Sequence, residues 1–187
     1  MQVLVFNLGD QEYALPTCHV VRVLPVMTLT RLAPAADFIA GVMNYHGSPV
    51  PVIDLARIGG MPSAAQRTGV ADAETAASFD TRIVLVNHEA ATGSPRLLGL
   101  LAEHVSGVRQ VDAAKLSDSG VRDPHAPFLG QVLAQQPRLL QLIELAHLVP
   151  PHVCAWLFDA SATHDLAAPM LPTKSDGWIG ESGALQP

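Results

Sequence analysis

Residues 42–58 read VMNYHGSPVPVIDLARI, and residues 132–148, ninety positions later, read VLAQQPRLLQLIELAHL. The two stretches align without a gap, and Asp54 in the first corresponds to Glu144 in the second. Self-similarity of this kind constrains the architecture more strongly than any single motif does. The sequence therefore predicts two similar half-domains, each of about half the chain.

A fainter repeat precedes each copy, because Ala14 and Leu15 correspond to Gly99 and Leu100 at an offset of 85 positions. Short apolar runs with turn residues between them are typical of an all-β sandwich or barrel. No run with helical periodicity is long enough for a βαβ crossover. The predicted strands cover residues 3–8, 13–15, 20–24, 41–46, 50–55, 83–87, 97–101, 105–111, 129–134 and 139–145.

Local signals inside the repeat give three further expectations. Gly47 followed by Ser48 favours a type II′ hairpin turn. Pro51 cannot donate to a β-ladder, which places its strand at a sheet edge or at a bulge. Asp54 and Glu144 each end a strand, and we expect both carboxylates to cap the short helix that follows.

Composition limits the classes of function. The net charge is −6, and the chain has only two lysines, so no basic patch for nucleic acid or for an anionic membrane is expected. Cys18 and Cys154 match neither a disulfide framework nor a zinc site. No apolar run approaches the length of a membrane span, and the N-terminus does not resemble a signal peptide. A cytoplasmic protein that reaches membranes only through a partner is predicted.

The chain is predicted to contain one domain over residues 1–150 and a C-terminal extension over residues 151–187. Residues 59–81 are rich in small and polar side chains and predict a flexible connection between the halves. In the extension, the apolar residues 153–158 are expected to dock on the domain, and the remainder to form a disordered tail.

Candidate catalytic and metal-binding groups are weak. Glu103 and His104 are adjacent on a predicted strand, where their side chains would point to opposite faces. His147, His152 and Cys154 match no standard zinc spacing. The sequence therefore predicts a protein that is not an enzyme and needs no cofactor.

Several blocks, in order and over some 145 residues, resemble the CheW-like domain. The first half supplies residues 6–9, 13–16 and 20–24, then Phe38, Ile39, Gly41, Val42, Asn44 and Gly47, and residues 50–55. The second half supplies residues 98–101 with Val105, then residues 127–130 and 139–145.

The resemblance implies an all-β fold of two intertwined five-stranded SH3-like barrels with short connecting helices. It also implies a non-enzymatic adaptor that couples the cytoplasmic tip of a methyl-accepting chemoreceptor to a CheA-type histidine kinase. Such an adaptor is cytoplasmic and is recruited to membrane-associated receptor arrays. The candidate interface residues are Val20, Arg22, Val23, Asn44, His46, Glu103 and His104.

Two of these residues depart from the family pattern. The family usually has arginine where this chain has His46, and often has glutamate where this chain has Arg22. A partly charged His46 near Arg22 would be mildly repulsive. One interpretation is tolerated drift, because exposed ion pairs contribute little. The other is altered partner specificity, as in an accessory adaptor of a dedicated, Wsp-like pathway.

Three other functions stay open at this point. The first is an adaptor with receiver or phosphatase activity, although no acidic triad accompanies Asp54. The second is a β-module that decorates array rings and binds the kinase but not the receptor. The third is a small-molecule binder that uses a barrel mouth.

Overall fold

The computed structural model describes residues 1–32, 35–62, 81–89, 95–118, 120, 126–135 and 138–158. The predicted flexible connection and disordered tail fall mostly on residues 63–80 and 159–187, which lie outside the described residues. None of the helices in the described ranges has the length and apolar character needed to cross a bilayer.

The described residues contain ten strands joined by hydrogen bonds into one sheet. The strands are β1 (Gln2–Leu8), β2 (Gln11–Pro16), β3 (Val20–Pro25), β4 (Ile39–Tyr45), β5 (Ser48–Asp54), β6 (Arg82–Glu89), β7 (Pro95–Gln110), β8 (Leu116–Ser117), β9 (Leu129–Gln135) and β10 (Arg138–Ile143). The helices are α1 (Leu55–Ile58) and α2 (Pro151–Phe158), with short 3-10 helices at Thr17–His19, Ala113–Lys115 and Leu145–His147.

The strands form two barrels that share β7. Strands β3, β4, β5 and β6 make the first barrel with the first half of β7. Strands β1, β2, β9 and β10 make the second barrel with the second half of β7, and the two-residue β8 adds to β9. The predicted all-β fold of two five-stranded barrels is confirmed.

Each barrel takes strands from both halves of the chain. The β1–β2 hairpin of the first half pairs with β7 and β10, whereas the β6–β7 hairpin of the second half pairs with β3 and β5. The two parallel pairings are equivalent, since Val52 pairs with Gly99 and Leu142 pairs with Ala14. In the aligned repeats Val52 corresponds to Leu142 and Gly99 to Ala14. The same strand pairing therefore occurs once in each barrel, and in each case it joins a strand of one half of the chain to a strand of the other half.

The packing explains why the two halves stay together. The largest apolar cluster joins Phe6 of β1 to Val84 of β6, Leu100 of β7 and Ile143 of β10, and is therefore shared by the two barrels. A second cluster lies within the second barrel and includes Val5 and Leu140. A third lies within the first barrel and includes residues such as Met43, Val52 and Leu85. Neither half of the chain can complete the shared core alone.

The end of each repeat is built similarly, with one difference. The N–H of Asp54 donates to the carbonyl of Phe38 (2.8 Å), and the N–H of Glu144 donates to the carbonyl of Phe128 (2.9 Å). The Asp54 carboxylate caps α1, as predicted. The prediction for Glu144 is wrong, because its side chain makes no cap hydrogen bond. Aspartate suits this position better, since its shorter side chain reaches the first N–H groups of a helix.

Three other local predictions are corrected. The runs 97–101 and 105–111 belong largely to one continuous strand, β7. The loop between β4 and β5 consists of His46 and Gly47, whose φ angles of 51° and 85° indicate a type I′ turn rather than II′. Strand β5 is not at an edge, because β4 and β7 flank it, and the bulge in its pairing with β4 lies at Ala40 of β4, not at Pro51. Pro51 is tolerated because the pairing with β7 begins one residue later, at Val52.

Helix α2 packs against the shared core. Val153 and Cys154 are buried in it, and Leu157 and Phe158 are partly buried against it, whereas Trp156 is exposed. An isolated helix of eight residues is marginal in water. The helix therefore depends on this packing for its own stability.

Candidate docking surface

Strand β3 presents an exposed stripe at the margin of the first barrel. It pairs with β6 on one side, and among the described strands no partner adjoins its other side. A β-bulge between Val20 and Arg22 interrupts the regular register, and bulges re-aim neighbouring side chains. Val21, Arg22 and Val23 are consequently all exposed, the two valines by 45% and 39%.

Val20 and Val23 both pair with residues of the shared core, Val86 and Val84 on β6. Val20 packs against the shared core, as expected if only one of Val20 and Val21 is turned inward. Val23 is the register partner of Val84, a buried residue of the same core. Because paired residues lie on the same face of a sheet, Val23 is an exposed apolar residue on the face of the sheet that carries the shared core.

The β4–β5 turn places two further candidates. The N–H of Gly47 donates to Oδ1 of Asn44 over 2.8 Å, so the Asn44 side chain fixes the turn. His46 occupies the left-handed region and makes an edge-to-face ring contact with Tyr45 at 4.4 Å. Nothing in the described part of the chain joins His46 to Arg22 by an ion pair or hydrogen bond. The structure thus gives Asn44 a structural role and leaves His46 exposed.

Glu103 and His104 lie where β7 passes from one barrel to the other. Glu103 is only 7% exposed, so its side chain does not contribute to the surface. His104 is exposed and has a φ of 46°, which breaks the regular strand. The two adjacent side chains thus differ in exposure, at a point where the strand is irregular.

Asp54 is buried, and its carboxylate both caps α1 and interacts electrostatically with Glu103. Its Oδ1 accepts from the N–H groups of Ala56 (2.9 Å) and Arg57 (3.3 Å). Burial raises the pKa of Asp54, and the negative charge of Glu103 adds to this, while the two N–H donors oppose it. The raised pKa means that the protonated carboxyl favours folding, so this contribution to stability is full below the ordinary value of 3.8 and is lost as pH rises through the folded value.

Two substitutions of Asp54 distinguish the effect of the cap hydrogen bonds on stability from the effect of the buried charge. Asp54→Asn keeps an oxygen acceptor and removes the buried charge, so its free energy of unfolding at neutral pH should equal or exceed that of the parent. Asp54→Ala should be less stable than Asp54→Asn by about 1 kcal/mol, because the cap is lost. Urea unfolding of the three proteins measures both differences, and equal destabilisation by the two variants would contradict the assigned cap.

The three candidate metal ligands, His147, His152 and Cys154, do not form one site. The Nδ1 atom of His147 lies 3.1 Å from a carboxylate oxygen of Glu144, whereas Cys154 contacts His88 and His152 is exposed. Within the described ranges, no group of three or more His, Cys, Asp or Glu side chains could hold a metal ion. The sequence does not predict the contact between His88 and Cys154, because residues 66 positions apart give no local signal.

Comparison with known proteins agrees with this geometry. A family model described as the CheW-like domain matches residues 2–150. The chain is 25% identical to the chemotaxis protein CheW of Klebsiella aerogenes over 174 residues, which cover 87% of this chain and 90% of that protein. It is 26% identical to the CheW of Rhizobium meliloti over 151 residues, which cover 80% of this chain and 87% of that one.

A solved structure is similar as well. The scaffolding protein TtCheW from Thermoanaerobacter tengcongensis superposes with a TM-score of 0.60 at 25% sequence identity, covering 80% of this chain and 89% of that one. Since the family model spans both barrels and the shared core, the chain belongs to the CheW-like domain family.

Proposed function

We propose that this chain is a non-enzymatic adaptor of a bacterial chemosensory array, where it couples the cytoplasmic tip of a methyl-accepting chemoreceptor to a CheA-type histidine kinase. Membership of the CheW-like family supports the proposal, as do relatives named as chemotaxis and scaffolding proteins. In this role the protein is cytoplasmic and reaches the membrane only through its receptor.

The exposed stripe on β3 is the observation that carries the proposal. Val21 and Val23 expose apolar surface on both sides of Arg22, on a strand whose second side pairs with no other described strand. Exposed apolar residues that adjoin polar ones are typical of protein interfaces. In our proposal Val23 contributes most to binding, because it is exposed and pairs with Val84 of the shared core, so that a partner would bury apolar surface next to that core.

Polar residues around this stripe would fix the register and choose the partner. Arg22 and His46 are both exposed, and the resemblance implies that they stand where the family usually has an acid and a base. The hydrogen bond of Asn44 stabilises the turn that contains His46, and Val20 anchors β3 by packing against the shared core. The exposed His104 marks a second point of contact, whereas buried Glu103 is left out of the surface. Inverted charge at Arg22 favours a dedicated, Wsp-like pathway over a shared flagellar one.

Val23→Asp is expected to abolish binding of the receptor tip. A carboxylate at this position would lose its water on binding an apolar partner surface, which costs about 2 kcal/mol or more, equivalent to at least about a thirtyfold weaker complex. Val108→Asp is the matched control, since Val108 is also an exposed valine, at 60%, but lies in the second barrel. Pull-down with purified receptor tips and kinase regulatory domains from the same organism measures both variants.

The outcomes distinguish the candidate functions. Receptor and kinase binding by the parent, with receptor binding lost only in Val23→Asp, supports the adaptor. Binding of the kinase alone would favour the ring-decorating module. Equal loss in Val23→Asp and Val108→Asp would reject β3 as the docking site, and no binding to either partner would reject the adaptor.

A further inference from the structure

A buried imidazole–thiol contact joins α2 to the first barrel. His88, near the end of β6, is 2% exposed, and its Nε2 lies 3.1 Å from Sγ of Cys154. The ring of Phe158 stacks on the His88 imidazole at 6.2 Å. Two residues of the helix, one turn apart, therefore meet the same histidine side chain.

We assign the proton positions from the contacts of the two side chains. Sγ of Cys154 lies 3.8 Å from the carbonyl oxygen of Val149, to which the thiol can donate. Nε2–H of His88 then donates to the sulfur, which leaves the lone pair of Nδ1 facing inward. Within the part of the chain that the structure describes, buried Nδ1 has no hydrogen-bond partner. A second proton on this ring would thus create a buried charge and an unpaired donor together.

The charged groups around His88 would do little to stabilise a positive charge on its ring. Glu89 follows it on β6 but is exposed. Glu103 on β7 is buried, but it lies at the opposite end of the β6–β7 pairing, beyond the partner of Arg82, whereas His88 pairs with Arg96. Other titratable groups on elements next to β6 are exposed: Arg22 on β3, Arg96 on β7, Cys18 and His19 in the first 3-10 helix, His147 in the last 3-10 helix and His152 on α2. Burial lowers the pKa of His88, with Glu89 opposing this more weakly, and burial raises the pKa of the Cys154 thiol, which keeps it a donor.

Helix α2 has few other sources of stability. It is eight residues long and has no acidic residue in its first turn or basic residue in its last. Only Val153 and Cys154 are fully buried. A short helix held by so few side chains can separate from a barrel whose strands remain paired.

We propose that α2 is a pH-sensitive latch, which closes over the shared core while His88 is neutral and is released when His88 takes up a proton. The sign follows from linkage. A histidine with a depressed folded pKa contributes stability that is full above its ordinary value of 6.5 and is lost as pH falls through the folded value. Release exposes Cys154 and the apolar surface beneath the helix, while the strands stay folded.

Thiol labelling tests the latch directly. The chain has two cysteines, so Cys18→Ser leaves Cys154 as the single thiol. Its rate of reaction with a dipyridyl disulfide is measured from about pH 8 to about pH 5, across the range in which histidine titrates. The matched variant Cys154→Ser leaves only exposed Cys18 and gives the unprotected rate at each pH. We expect the ratio of the two rates, which is the protection of Cys154, to fall by up to about tenfold per pH unit below pH 6.5.

Two further measurements make the test decisive. His88→Phe in the Cys18→Ser background keeps an aromatic ring but cannot titrate, so the protection should become independent of pH. Amide hydrogen exchange of β6 and β7 in the parent should stay slow where Cys154 has become reactive. Constant protection in the parent, an unchanged slope in His88→Phe, or strand exchange that accelerates together with labelling would each overturn the latch. If His88→Phe does not fold, the comparison of labelling with strand exchange in the parent still decides.

Discussion

Phe6→Ala should lower the free energy of unfolding by about 3–5 kcal/mol, which is a large share of the roughly 5–15 kcal/mol that holds a typical domain together. Phe6 is 1% exposed and packs in the shared core, where its ring also stacks on Tyr13 at 6.2 Å. Truncation removes the ring and leaves a cavity between the barrels. Because Val84 of β6 and Ile143 of β10 border the same cluster, we expect both barrels to lose stability together.

Urea unfolding, followed by hydrogen exchange in each barrel, measures this effect. Exchange in β4 and β5 of the first barrel should accelerate as much as exchange in β9 and β10 of the second. Val108→Ala, at an exposed position of the second barrel, is the control and should change stability by no more than about 0.5 kcal/mol. Separate transitions for the two barrels in Phe6→Ala would contradict a single shared core.

Gly41→Ala should have the second large effect, a loss of about 3 kcal/mol. Gly41 is buried in β4 with a φ of 148°, a conformation that costs a residue with a side chain of order 1–3 kcal/mol. A Cβ atom there would lie 2.7 Å from the carbonyl oxygen of Thr30. That carbonyl accepts from the N–H of Val42 (2.8 Å), and the N–H of Thr30 donates to the carbonyl of Val42 (2.9 Å). Relief of the clash would break this bridge, at about 1 kcal/mol for each hydrogen bond.

Gly47→Ala is the control for the cost of placing a residue with a side chain at a positive φ. Gly47 has a φ of 85°, but a Cβ atom there would meet nothing within 4 Å. Its substitution should therefore cost the conformational strain alone, about 1–2 kcal/mol. Thermal unfolding of the two variants compares these costs, and an equal loss of stability would show that the contact with Thr30 contributes nothing.

The resemblance to a family, rather than any residue pattern, predicts the candidate surface. Alternation on β3 correctly predicts that only one of Val20 and Val21 is turned inward. It does not predict three exposed residues in succession, because the bulge after Val20 depends on pairing with β6. The burial of Glu103 and the contact between His88 and Cys154 have no local signature, since strands distant in sequence create both.

The sequence by itself determined the duplicated design. The similarity of residues 42–58 to residues 132–148 indicates the duplication. Within the two copies the sequence also predicts the β4–β5 and β9–β10 hairpins and the helix cap at Asp54. These features are predictable because apolar periodicity, turn residues and caps act over a few residues. Only the tertiary structure decided that the halves exchange hairpins. A strand that alternates correctly can pair equally well within its own half or across halves. The choice lies in the pairing of Val52 with Gly99 and of Leu142 with Ala14, and in the shared core that those pairings close.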